Sequence, residues 1–171
     1  MLKILLIFIV VFFSNNIFAC TCSFAHLDTE SVRKAKKIFA FRLMGAEIKK
    51  VSSKDPEKME VVGRILVIDN IRGNKNIFKE IRFTTHRCCG SRFDIGSYYV
   101  AFISDNGPKF FANSGNVLEI GTMYDAVEVR EKMAEIYTKK KDLDDVFSRE
   151  SRDRIEQSPV LPPCPRGVLN N

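Results

Sequence analysis

Tryptophan is absent from these 171 residues, and no second apolar run follows the one near the amino terminus. The chain also lacks a phosphate-binding glycine loop, a metalloprotease helix motif and a nucleophile motif. Cys-X-X-Cys, with its lowered thiol pKa, is missing, which argues against a thiol–disulfide oxidoreductase. Asp69, Glu80 and Asp94 fall on different strands or turns, so nothing pairs them for acid–base work. These absences point away from an enzyme and leave no catalytic residue, no cofactor and no resident metal to expect. His26 near Cys20 and Cys22, and His86 near Cys88 and Cys89, lack zinc-finger spacing, and disulfides compete for the same sulfurs. They read as ordinary histidines.

What is present suits one folded domain with an appended element. Hydrophobic residues make up 45% of the chain, which excludes wholesale disorder, and 14 Phe can build a core without Trp. Lys and Arg number 27 against 21 Asp and Glu, a net +6. Lys3, the unbroken apolar run Ile4–Phe13 and the small Ala19 before Cys20 form an export signal over 1–19. A spanning helix needs about 20 apolar residues, and Ser14-Asn15-Asn16 ends this run too early. The expected mature chain, 20–171, loses only Lys3 and carries 26 − 21 = +5. It is expected outside the cytoplasm: periplasmic, in the cell envelope or extracellular. Thiols tend to pair there, and nucleic acid is not an expected partner. Ile17-Phe18-Ala19-Cys20 also resembles a bacterial lipoprotein cleavage box. Lipidation of Cys20 is the one route by which this reading places the mature protein on a membrane.

Along the mature chain, Asp28 or Thr29 caps a helix running toward Lys37, with Val32, Ala35 and Phe39 on its buried face. Strand-like runs follow at Ile38–Ile48, Met59–Ile71, Ile77–Thr85 and Tyr98–Ser104. Turn residues at Arg72-Gly73-Asn74, Asp94-Ile95-Gly96 and Asp105-Asn106-Gly107-Pro108 separate them. Lys109–Ala112 is expected to return beside Tyr98–Ser104 as a hairpin. About five strands with one early helix predict a mainly β fold, a small closed sheet. From 121 to 156 the charge turns acidic, with 8 basic against 10 acidic residues, whereas 20–120 holds 17 against 11. Ala126, Val129, Met133, Ile136, Leu143 and Phe147 there form a helical stripe interrupted by Lys140. The tail 157–171 is Pro-rich and contains Cys164.

Cys20-Thr21-Cys22, Ile71-Arg72-Gly73, Ile81-Arg82-Phe83-Thr84-Thr85, Cys89-Gly90 and Phe93-Asp94-Ile95-Gly96 occur in that order, before the strand Tyr98-Tyr99-Val100-Ala101-Phe102. This order over 20–120 resembles the tissue inhibitors of metalloproteinases and the wider netrin-like domains, including exported bacterial members. The resemblance implies a five-stranded OB-like barrel with an amino-terminal segment stapled to it, here by Cys20–Cys89. Such an arm has no sheet of its own and frays unless tied down. The family's second staple ends just after the last hairpin, where this chain reads Phe111-Ala112-Asn113-Ser114-Gly115-Asn116 without Cys. Cys22 is left with Cys164 or Cys88. By the same resemblance, Cys20 and Thr21 form the partner-binding edge: the α-amine and carbonyl of Cys20 chelate a target's zinc, and Thr21 enters its specificity pocket. The partner implied is a metalloprotease or another envelope protein. Two competing classes are a lipid-anchored envelope lipoprotein with a structural role and, less supported, a thiol oxidoreductase. Lys75, Lys79, Arg82, Arg87 and Arg92 flank the middle strands and read as a solvated face.

Overall fold

The structure is a computed structural model that describes residues 25–54, 58–74, 78–86, 90–104, 109–148 and 155. Helix α1 (Thr29–Lys34) leads into β1 (Lys37–Val51), β2 (Lys58–Arg72), β3 (Glu80–His86), β4 (Tyr98–Ile103) and β5 (Val117–Gly121). Helices α2 (Ala126–Tyr137) and α3 (Leu143–Val146) follow. The strands make one antiparallel sheet in the order β3-β2-β1-β4-β5, so the mainly β fold with an early and a late helix holds. The expected closure into a barrel is not formed by a ladder. Among the described residues, β3 reaches the chain leading to β5 through one parallel bridge, Arg82 to Phe111.

The start of β1 explains why α1 is shorter than expected. Asp28 caps the helix, its carboxylate accepting from the Ser31 N–H at 2.6 Å. At Ala35 the backbone turns extended, and the Lys36 N–H donates to the Ile103 carbonyl at 2.8 Å. Sheet pairing therefore takes over before Lys37, and Phe39 belongs to a strand face rather than a helix face. On β1 the side chains alternate. Phe39, Phe41 and Leu43 enter a core with Val61, Ile81, Phe83, Phe93 and Tyr99. Ile38 and Ala40 enter a second core with Val100, Phe102, Leu118, Val129, Met133 and Ile136. The phenylalanines supply the first core directly: Phe39 meets Phe110 edge-on at 5.9 Å, and Phe41 stacks on Tyr99 at 5.4 Å.

Two further expectations are corrected. The partner of β4 is Val117–Gly121, with Ala101 opposite Val117 and Val100 opposite Leu118, not Lys109–Ala112. Reversal occurs at Asn113-Ser114-Gly115-Asn116, where the Asn113 carboxamide oxygen accepts from the Gly115 N–H at 2.8 Å. Residues 110–112 instead flank Arg82, which donates its N–H to the Phe110 carbonyl and accepts from the Ala112 N–H. The apolar stripe after 121 breaks around the expected interruption at Lys140 but loses one member. Helix α2 ends at Tyr137, Lys139 adopts φ 58°, and α3 restarts at Leu143. Ala126 is exposed, whereas Val129, Met133, Ile136, Leu143 and Phe147 are buried.

Asp69 fastens α2 to β2. Its carboxylate accepts from Arg130 Nε at 2.8 Å, from a second guanidinium N–H, and from the Tyr124 hydroxyl at 3.0 Å. These donors, Arg130 foremost, hold the Asp69 carboxyl below its ordinary range. Burial pushes the Tyr124 phenol up. Because the Asp69 pKa is depressed in the folded state, its stabilisation is present above the unfolded carboxylate value and is lost as pH falls through the folded one. Thermal unfolding followed by circular dichroism should show wild-type stability falling below about pH 4, with a weaker decline in Asp69→Asn. Asp69→Ala leaves Tyr124 without its acceptor and should cost about 1–3 kcal/mol at neutral pH. Phe39→Ala should cost about 3–5 kcal/mol in urea unfolding, because the side chain is packed between Phe41, Phe78 and Phe110.

Candidate functional site

The partner-binding edge, Cys20 and Thr21, and the cysteines Cys22, Cys88, Cys89 and Cys164 lie outside the described residues. What the structure describes is the seat of the arm that follows them. The Ser114 hydroxyl donates to the Ala25 carbonyl at 2.6 Å. A Cβ on Gly115 would stand 2.7 Å from the Ala25 Cβ, so only glycine lets the arm lie this close. Leu27, two residues on, is buried in the core beneath α2. The turn that supplies Ser114 is braced internally: the Asn113 N–H donates to Asn116 Oδ1 at 2.9 Å, and Asn116 Nδ2 donates to the Phe111 carbonyl at 2.8 Å.

The direction of the chain places this seat relative to β3. The Arg82–Phe111 bridge is parallel, so 110–112 runs the same way as β3. Ser114 follows toward the end of β3 that carries His86, after which come Cys88 and Cys89. The chain folds back on that end, with the Ser91 N–H donating to the Thr84 carbonyl at 2.9 Å. Cys20 stands five positions before Ala25, a reach of at most about 17 Å.

Other sequence-predicted residues disperse. Arg82 donates to Glu60 at 2.8 Å across β3 and β2, and Arg92 to Asp94 at 3.1 Å. Lys79 is exposed, and Lys75 and Arg87 lie outside the described residues. The basic face is thus partly neutralised. Asp69, Glu80 and Asp94 do not converge: Asp69 serves Arg130, and the Asp94 backbone exchanges hydrogen bonds with the Tyr99 hydroxyl at 2.7 and 3.2 Å. That phenol is raised, chiefly by burial. His26 is exposed and His86 half-buried. Among the described residues no three His, Cys, Asp or Glu side chains gather as a metal-ligand set, and no helix is long and apolar enough to cross a membrane.

Sequence reasoning missed Ser114 and Gly115 as the supports of Ala25. Their signal was the Asn-Ser-Gly-Asn cluster, which marks a turn but not what rests on it. No protein-family model matches the chain, and no curated protein matches it. Ser114→Ala should cost about 0.5–1.5 kcal/mol and speed amide exchange at Leu27. Gly115→Ala should speed it more, because it displaces Ala25. Exchange at Leu27 unchanged in both variants would show that the arm is held elsewhere.

Proposed function

We propose that this protein is an exported, non-enzymatic binding module whose amino-terminal edge engages a partner as metalloproteinase inhibitors do. The observation that carries the proposal is the seating of Ala25 on Ser114 and Gly115. In the proposed mode this seat holds the base of the arm at Ala25, and preorganisation of this kind lowers the ordering cost of binding. The five-stranded antiparallel sheet agrees with the netrin-like resemblance. In the proposed fold, the Arg82–Phe111 bridge is the seam along which the sheet approaches an OB-like barrel. Cys20 bonds Cys89 across the end of β3, and Cys22 bonds Cys164. The Cys20 α-amine and carbonyl chelate the target's zinc, and Thr21 fills its pocket. The partner is a metalloprotease or another protein of the envelope.

A second reading rests on Ile17-Phe18-Ala19-Cys20, the lipoprotein-like box. There Cys20 carries lipid, its thiol is a thioether, and an acylated amine has no lone pair for zinc. Intact mass of the mature chain separates the two, since lipid adds several hundred daltons, on the order of one acyl chain or more.

Under the inhibitor reading, one extra Ala before Cys20 abolishes inhibition, because the α-amine leaves the metal while the sheet stays intact. Thr21→Gly weakens inhibition by about 1–3 kcal/mol, the worth of a pocket contact. Assay against a panel of metalloproteases decides this. Inhibition that survives the Ala extension places the binding surface elsewhere, and no inhibition by an unlipidated chain across the panel removes the reading.

A further inference from the structure

Beside the hairpin that joins β1 to β2 lies an open cleft of about 410 Å³. Lys50, Lys54 and Lys58 line it from the hairpin, Thr84 from β3 in register with Glu60, and Phe111 beside them. None of the three lysines forms an ion pair among the described residues, although Lys49 nearby pairs with Glu47. The one lining carboxylate, Glu60, is already held by Arg82 at 2.8 Å. Asp55 and Glu57, in the same turn, lie outside the described residues. The described walls therefore offer three lysines without an ion pair to a described residue and the hydroxyls of Ser53 and Thr84.

Phe111 adds a second kind of surface. Among the described phenylalanines it alone is exposed, at 57%. Its neighbour Phe110 turns into the core, and extended-chain alternation sends Phe111 outward. The hydrogen bonds from the Arg82 N–H to the Phe110 carbonyl and from the Ala112 N–H to the Arg82 carbonyl hold it there. A fixed aromatic beside clustered lysines suits a ligand with an anionic head and an apolar body. Lysine binds phosphate as a point charge, and a phosphate monoester dianion presents enough charge and acceptor oxygens for several lysines and hydroxyls at once.

We propose that this cleft binds a phosphate monoester, the phosphate among Lys50, Lys54 and Lys58 and its apolar substituent against Phe111. The ester is either a small soluble molecule or the headgroup of a phosphatidic-acid-like lipid. This site is independent of the amino-terminal edge.

Titration calorimetry of the full chain with phenyl phosphate and with inorganic phosphate tests it. Both should bind saturably, phenyl phosphate more tightly, and both should weaken as salt rises. Lys50→Ala and Lys58→Ala should each lower affinity about two- to fivefold, the range of an exposed charge contact. Phe111→Ala should erase the preference for phenyl phosphate while leaving inorganic phosphate unchanged. Sedimentation with phosphatidylcholine vesicles containing phosphatidic acid identifies the source. Retention competed by phenyl phosphate assigns the lipid, and phenyl phosphate binding without retention assigns a soluble ester. The proposal is overturned if phenyl phosphate does not bind by about 10 mM and vesicles are not retained, or if binding is unchanged in both lysine variants.

Discussion

Strand β1 lies between β2 and β4 and is buried on both faces from Ile38 to Phe41. Phe39 and Phe41 serve one core and Ile38 and Ala40 the other, so a single extended segment joins both hydrophobic clusters. Each large apolar side chain removed from water there contributes roughly 1.5–3 kcal/mol. A one-residue slip would exchange the two sets and put phenylalanines where α2 requires Ile and Ala. The register of the sheet, the placement of α2 and the route of the amino-terminal arm all depend on that alternation.

Beyond Leu43 the same strand behaves differently. It leaves β4 and pairs with β2 alone, and its side chains from Ala46 to Val51 are exposed. Irregularities between Leu43 and Gly45 and between Ile48 and Lys50 interrupt the ladder, and Lys49 and Lys50 stand at its end. Bulges and lysines of this kind blunt a free edge against pairing with another chain. Of the two, Lys49 pairs with Glu47, and Lys50 lines the cleft beside this edge.

The helices are attached by polar ties as well as by apolar packing. Arg33 of α1 donates to the Ile136 carbonyl at 3.0 Å and to Asp142 at 3.1 Å, and the Leu143 N–H donates to Thr29 Oγ1 at 2.9 Å. Arg42 lies over the Tyr98 ring at 5.4 Å, and Tyr98 stacks on Tyr124, which in turn bonds Asp69. The beginning and the end of the described chain are thereby joined through side chains more than a hundred positions apart.

Local chemistry in the sequence determined the strand periodicity, a helix cap at Asp28 or Thr29 and the turn at Gly73, whose φ of +87° suits glycine. It also marked Val129, Met133 and Ile136 as one buried helical face. Only the tertiary structure decided which segment returns beside β4. Turn residues occur both at 105–108 and at 113–116, and nothing local ranks them. The pairing went to Val117–Gly121 because Val117 and Leu118 are buried on opposite faces of the sheet, one in each core. The early helix stopped short for a similar reason, since Ile103 offered Lys36 a sheet hydrogen bond. The Ser114 seat, the Asp69 tie and the outward Phe111 were likewise beyond the sequence. Each depends on partners brought together by strand order, and a sequence encodes period and turn locally while contact between distant residues is settled by which arrangement buries both faces of β1.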